Sequence, residues 1–367
     1  MTVERLISAI DLFCGAGGLT HGFTLEGVSV KAGIDTDSAC QYPYENNNDS
    51  SFLLRDVAEL EARELLPYFP EGHIKLLAGC APCQPFSTYS HGHRKKRRED
   101  IAEQSDETDS ESLRDEKWGL LYSFLRLAEE LRPELITMEN VIPLRHHRVF
   151  RDFVIALEKL GYFVTYYVVK CSDYDVPQKR QRLVLFASIY GEVEMCAPFS
   201  EKPKTVRDTI GGLPKIEAGG ICTEDSLHRA RNLSSKNLER IKASVPGGTW
   251  RDWDESLMTD CHKKEEGKSF ASVYGRMDWQ LAPTITTEFY GYGSGRFGHP
   301  EQHRAISLRE GALLQTFTES YAFTPPDEII SFDKIGRMIG NAVPVNLGRA
   351  IARSLNEHIA FYADSLQ

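Results

Sequence analysis

The chain has 367 residues, 41% of them hydrophobic and 26% charged, with a formal net charge of −10. That length exceeds the roughly 250–300 residues one core usually serves, which predicts a large α/β domain with a smaller companion. The acidic balance excludes a protein that coats nucleic acid through bulk electrostatics, though not one with a basic cleft, and no apolar run approaches the roughly 20 residues of a membrane span.

The N-terminus, Met1 to Arg5, runs straight into a strand without the basic-then-apolar build of a signal peptide. A cytoplasmic protein is therefore expected, with its eight cysteines as reduced thiols and no membrane partner. Leu6 to Phe13 is an apolar, β-branched strand closed by Cys14-Gly15-Ala16-Gly17-Gly18, after which a helix runs through Leu25. Val28 to Ile34 forms a second strand, with Asp35 and Asp37 at its end. Ile74 to Ala78 is another strand, and Leu135 to Met138 a further one behind the amphipathic stretch Trp118 to Leu131. A helix over 150–160 and strands over 163–170 and 183–189 continue the rhythm, which predicts a parallel sheet with helices on both faces.

From about Pro198 to Tyr290 this alternation gives way to prolines, glycines, tryptophans and mixed charge, the mark of a smaller irregular domain. Helices return at 308–317, 334–339 and 344–362. The expected organisation is a catalytic, cofactor-binding domain over 1–197, the irregular domain over about 198–300, and C-terminal helices over 301–367 that rejoin the first. Residues 99–116 are acidic, serine-rich and poor in apolar side chains, and read as a surface loop.

Two segments carry chemistry on their own residues. Asp11-Leu12-Phe13-Cys14-Gly15-Ala16-Gly17-Gly18 is a strand, a glycine turn and a helix start, which lets a ligand approach the backbone closely; Asp35 follows about twenty residues on, where a ribose hydroxyl pair is hydrogen-bonded in nucleoside sites. The spacing departs from the dinucleotide pattern, and no phosphate-binding lysine follows, which disfavours NAD and nucleoside triphosphates. The run Gly79-Cys80-Ala81-Pro82-Cys83-Gln84-Pro85-Phe86-Ser87 sets thiols just after an apolar strand, a placement suited to a nucleophile. Cys80 and Cys83 also spell CxxC, but the other cysteines are scattered singly and no histidine pair has finger spacing, so no metal is expected.

Taken together, the glycine loop, the GCAPCQPFS run, Met138-Glu139-Asn140-Val141, the segment Gln178 to Arg182 and Gly340-Asn341-Ala342-Val343-Pro344 resemble, in order, the motif blocks of the DNA cytosine-C5 methyltransferases. The resemblance spans about residues 9–352 and implies a Rossmann-like α/β fold of the S-adenosylmethionine-dependent kind, with a target-recognition domain in the irregular region. It implies methyl transfer from S-adenosylmethionine to carbon 5 of cytosine in double-stranded DNA, with the base flipped out of the duplex. Cys83, preceded by Pro82 and followed by Gln84, matches the nucleophile, Glu139 the acid that holds the base, and Arg182 a contact to its O2, with Arg180 supporting the backbone. Phe13, Gly15, Gly17, Asp35, Asp56, Asn341 and Val343 match the cofactor-binding positions.

Cys80 reads as a small buried hydrophobe. The stretch from Ser87 to Lys117 matches a closing loop whose Arg94 to Arg98 are expected to approach phosphates. Base-reading side chains are expected among Arg229, Arg231, Arg251, Lys263, Arg276 and Arg296. A monomer is expected, with a cognate restriction endonuclease as partner. A tRNA cytosine-C5 methyltransferase and a non-catalytic DNA-binding homologue are the alternative readings.

Overall fold

In the computed structural model, which describes residues 6–82, 116–263 and 273–362, the first strand β1 (Ile7–Leu12) is buried along its whole length. Its side chains alternate between two faces, as a pleated strand requires. Ile10 and Leu12 join a core with Leu121, Phe124 and Leu125 of α2 (Glu116–Leu131) and with Phe150, Phe153 and Leu157 of α3 (Arg148–Lys159). Asp11, between them, faces the other way and accepts a hydrogen bond from Thr20 of α1 (Gly18–Leu25). Helices thus cover both faces. The spacing of Leu121, Phe124, Leu125, Ala128 and Leu131 lays one apolar stripe along α2, and Phe124 meets Phe153 edge to face with centroids 5.5 Å apart.

The remaining strands are β2 (Ser29–Asp35), β3 (Ser51–Leu54), β4 (Ile74–Gly79), β5 (Leu135–Asn140), β6 (Phe163–Lys170) and β7 (Gln181–Ser188), in the sheet order β3-β2-β1-β4-β5-β7-β6. Pairs from β3 through β5 are parallel. The sheet is not all parallel, as the sequence led us to expect: β7 pairs with β5 antiparallel, Leu135 opposite Ser188 and Asn140 opposite Leu183. The cause lies in the connection. A parallel return needs a crossover of a dozen or more residues, usually a helix, whereas the chain between β6 and β7 holds only the short turn Cys171–Tyr174.

The chain divides into two compact units, one of residues 1–169, 181–197 and 347–367, the other of 170–180 and 198–346. The C-terminal helix Val345–Tyr362 closes the first unit by packing on α1. A β-carbon on Gly348 would come within 3.0 Å of the Leu19 carbonyl, so the glycine permits the close approach, and Glu26 pairs with Arg349 at 2.7 Å and Arg353 at 3.1 Å.

The described residues of the second unit hold isolated β-bridges in place of a sheet. Its helices include Val206–Ile210, Ser235–Ala243, Leu308–Leu314 and Phe332–Asn341. One apolar cluster gathers Ile241, Trp250, Trp253, Tyr292 and Ala305, and Ser244 Oγ lies 2.8 Å from both Trp253 Nε1 and the Tyr292 hydroxyl. Side-chain bonds do here what ladder bonds do in the sheet.

Candidate active site

At the carboxyl ends of β1 and β2 the chain turns through Phe13, Gly15 and Gly17, all at positive φ (60°, 52° and 89°). Gly17 caps α1 from the left-handed region, where a glycine carries no β-carbon penalty. Phe13 adopts that region without being glycine, and its half-buried ring packs against the core. The turn is tied to β2: Cys14 N–H donates to the Ile34 carbonyl at 3.0 Å, and Gly15 N–H to Asp35 Oδ2 at 2.9 Å. Asp37 N–H reaches the other Asp35 oxygen, Oδ1, at 2.9 Å. Two main-chain donors thus orient the carboxylate, and each oxygen keeps a lone pair for a ligand. A β-carbon on Gly15 would meet no described heavy atom within 4 Å. Asp56 is exposed at the end of β3, its Oδ1 accepting from Ala58 N–H at 2.8 Å.

Beneath the turn lies a group the sequence did not single out. Asp11 is 1% exposed, and Thr20 Oγ1 donates to its Oδ2 at 2.7 Å. Burial, with Asp35 adding a smaller push, raises its carboxyl to about 7, although the Thr20 bond pulls the other way. One acid inside an apolar strand was the available signal.

The second cluster sits where β4 and β5 end and the antiparallel β7 begins. Glu139, 7% exposed, places Oε1 2.9 Å from Arg182 Nε, and Arg182 Nη1 also donates to the Gln181 carbonyl at 2.9 Å. Asn140 Nδ2 donates to the Ala81 carbonyl at 3.0 Å, so a buried amide holds the chain that leaves β4. Gly79 permits this exit: a β-carbon there would stand 3.0 Å from the Leu12 carbonyl and 3.1 Å from the Phe124 ring.

Cys80, expected as a buried hydrophobe, is half-buried beside Glu139. Burial pushes its thiol well above the ordinary value, and the Glu139 and Asp11 carboxyls add to that. Its sulfur therefore carries a proton at neutral pH. Cys83 and Arg94 to Arg98 lie outside the described residues.

In the second unit Arg180 is buried, with Nη1 donating to the Ile285 carbonyl at 3.3 Å and Nη2 to the Ala342 carbonyl at 3.4 Å. Gln315 Nε2 bonds the same Ala342 carbonyl at 3.0 Å, and Gln178 in turn bonds Gln315. This network fixes the segment between Asn341, exposed at a helix end, and buried Val343. A β-carbon on Gly340 would collide with the main chain of Thr286 and Thr287, so only glycine lets the helix settle there.

Arg276 departs from its expected place on a DNA-facing surface. It is 3% exposed, and its donors go to the carbonyls of Ile241, Ser244, His299 and Gln302 and to His303 Nδ1. Arg231 and Arg251 are exposed beside aromatic rings, 5.5 Å from Tyr290 and 4.8 Å from Trp250.

Comparison with known proteins agrees with this geometry. Residues 7–357 match the family described as C-5 cytosine-specific DNA methylase. The chain is 50% identical over 358 residues to the type II methylase M.HgiDII of Herpetosiphon aurantiacus, covering 96% of each. It is 29% identical to the type II methyltransferase M1.HphI of Haemophilus parahaemolyticus, over 95% of this chain and 86% of that one. Among solved structures, a putative DNA modification methyltransferase encoded within an Escherichia coli prophage shares the fold with a TM-score of 0.70 at 20% identity, over 96% of this chain and 99% of that one.

Proposed function

The chain belongs to the C-5 cytosine-specific DNA methylase family, and from that premise we propose that it transfers the methyl group of S-adenosylmethionine to carbon 5 of cytosine within a specific sequence of double-stranded DNA. The observation that carries the reading is the meeting of the ends of β4 and β5 with the start of β7, which gathers Glu139, Arg182 and the Asn140-held exit toward Cys83. The cofactor, when bound, supplies an electrophilic methyl group. The residues present suit it: an open turn at Gly15, an Asp35 carboxylate aimed by two N–H groups, and a position between β1 and β4 where the strand order reverses, as ligand sites in open α/β sheets do.

Carbon 5 of cytosine is a poor nucleophile. Addition of the Cys83 thiolate at carbon 6 makes the ring an enamine, carbon 5 then takes the methyl group, and loss of the carbon 5 proton with departure of the sulfur restores the aromatic ring. Glu139 holds N3 and the exocyclic amine, relieving charge as sulfur adds, and Arg182 both pairs with Glu139 and contacts O2. These atoms are hidden in a stacked duplex, so the base is flipped out. Arg180 holds the segment that bears Asn341 and Val343, the two positions that the family resemblance assigns to the methionine end of the cofactor. Phe13, Gly15, Gly17, Asp35 and Asp56 hold the adenosine end. We further read the chain as a cytoplasmic monomer with a restriction endonuclease of the same recognition sequence as partner; among the described residues no helix is long and apolar enough to cross a membrane.

The test offers tritiated S-adenosylmethionine with unmethylated duplex DNA or tRNA. Label enters DNA, Cys83→Ala abolishes it, and Glu139→Ala slows it by about 10²–10⁴-fold. Label in tRNA alone, or tight DNA binding without label, would overturn the reading.

A further inference from the structure

The parallel pairing of β4 with β5 ends on the rung Gly79–Met138. Leu76 to Gly79 stand opposite Leu135 to Met138 without a break, so the next two positions set Cys80 beside Glu139 and Ala81 beside Asn140. The Asn140 bond to the Ala81 carbonyl shows the second of these directly. The first fits the influence that the side chain and main chain of Glu139 have on the Cys80 thiol.

Glu139 needs such a neighbour. Its Oε1 is buried and close to Arg182 Nε, yet the approach lacks hydrogen-bond alignment, so the ion pair alone does not set the rotation of the carboxyl plane. A carboxyl meant to meet two edges of one base has to be fixed in that rotation.

We propose that Cys80 is a positioning residue for Glu139, its S–H donating to the carboxyl and fixing the plane from which the carboxyl engages the target cytosine. The inference rests on the reading of Glu139 given above. It divides the two thiols of the CxxC by role: Cys80 keeps its proton and aims the acid, and Cys83 gives its proton up and attacks. The surroundings enforce the first half, because burial, with Glu139 and Asp11 adding to it, opposes a thiolate at Cys80.

The experiment measures kcat and KM of the full chain with tritiated S-adenosylmethionine and unmethylated plasmid duplex for Cys80→Ala, Cys80→Ser, Glu139→Ala and the Cys80→Ala/Glu139→Ala double variant. Single-turnover label incorporation is used for the slow forms. Cys80→Ala is expected to lower kcat roughly tenfold at unchanged KM for the cofactor, and the hydroxyl of Cys80→Ser to restore it to within about threefold. In the Glu139→Ala background the Cys80 change costs nothing further, a coupling that a merely structural thiol would not show. Melting temperatures check that each variant is folded.

A Cys80→Ala enzyme at the wild-type rate overturns the inference, as does a Cys80→Ser enzyme as slow as Cys80→Ala, or the same loss with and without Glu139. If Glu139→Ala itself runs at the wild-type rate, the reading of the site has failed instead.

Discussion

In the sheet-bearing unit, acids at the strand ends stand among few donors: Asp11 takes one threonine hydroxyl, Asp35 two main-chain N–H groups, and Glu139 lies in an ion pair with Arg182. In the irregular unit the position is reversed. Arg304 is fully buried in a two-point pair with Glu310, at 2.7 and 2.8 Å, and Arg276 and Arg180 spend their donors on main-chain carbonyls. A sheet satisfies its own backbone, so its acids keep acceptor capacity for ligands. A unit without a sheet uses guanidinium groups as struts, because only side chains are left to meet its carbonyls. Both regions bury charged groups, and their neutralisation differs.

The comparison breaks first, and with the largest effect, at Arg304. Glu310 is held down at about 2 although its burial pushes up, chiefly by the Arg304 bond and charge and less by Ser307 N–H; nearby His299 is lowered to about 4 by burial and stays neutral at pH 7. Arg304→Met therefore leaves an uncompensated buried carboxylate and should cost ~3–5 kcal/mol in urea unfolding at pH 7. The sign with pH follows. A carboxyl depressed in the folded state stabilises above about 4.5 and loses that stability as pH falls toward 2, so the gap between wild type and variant should narrow in acid. A gap that stays constant with pH would show that Glu310 is not held by this charge.

Asp11 should behave in the opposite sense. Its folded value near 7, against 3.8 unfolded, means that its contribution is complete below about 3.8 and is lost as pH rises through 7. Asp11→Asn keeps an oxygen for Thr20 and removes the titration. The variant should be more stable than wild type at pH 8, by up to ~4 kcal/mol, with the difference vanishing below pH 4. Parallel stability curves across that range would mean that the carboxyl is solvated and that the contrast between the units is false.

How much of this was legible in the sequence depends on where each partner lies along the chain. The strands were, because each is an apolar run ended by glycine or an acid; the places of Asp35, Glu139 and Arg182 at strand ends could be read too, while the roles of Glu139 and Arg182 come from the family resemblance. The edge strand Ser51–Leu54 was not, since Phe52 is its one fully buried side chain. Nor was the reversal of β7, which turns on a missing crossover helix. Arg276 looked like any surface cation, because its acceptors are carbonyls, which every residue carries and no motif records. Cys80 looked apolar, because its neighbour Glu139 arrives from another strand.

The smallest effect sharpens the contrast at the cofactor side. If the acids of the first unit keep acceptor capacity for a ligand, Asp35→Asn should cost binding and little stability. Both Asp35 oxygens already face N–H donors, Gly15 on one and Asp37 on the other, so an amide presents its NH₂ to one of them and loses that bond as well as a charged acceptor for the ribose. A hydrogen bond to a charged group contributes about 1.5–3 kcal/mol, which predicts roughly ten- to hundredfold weaker binding of S-adenosylmethionine by calorimetry. Asp56→Asn, at an exposed carboxylate with one main-chain donor, should weaken it less, by roughly three- to tenfold. Asp56→Asn should melt within about 1 °C of wild type without ligand, since surface changes are usually within about 0.5 kcal/mol, and Asp35→Asn, which gives up one N–H bond, within about 3 °C. Unchanged affinity in Asp35→Asn with a lowered melting temperature would make this carboxylate a strut as well, and the difference between the two units would then lie in the sign of the charge they bury.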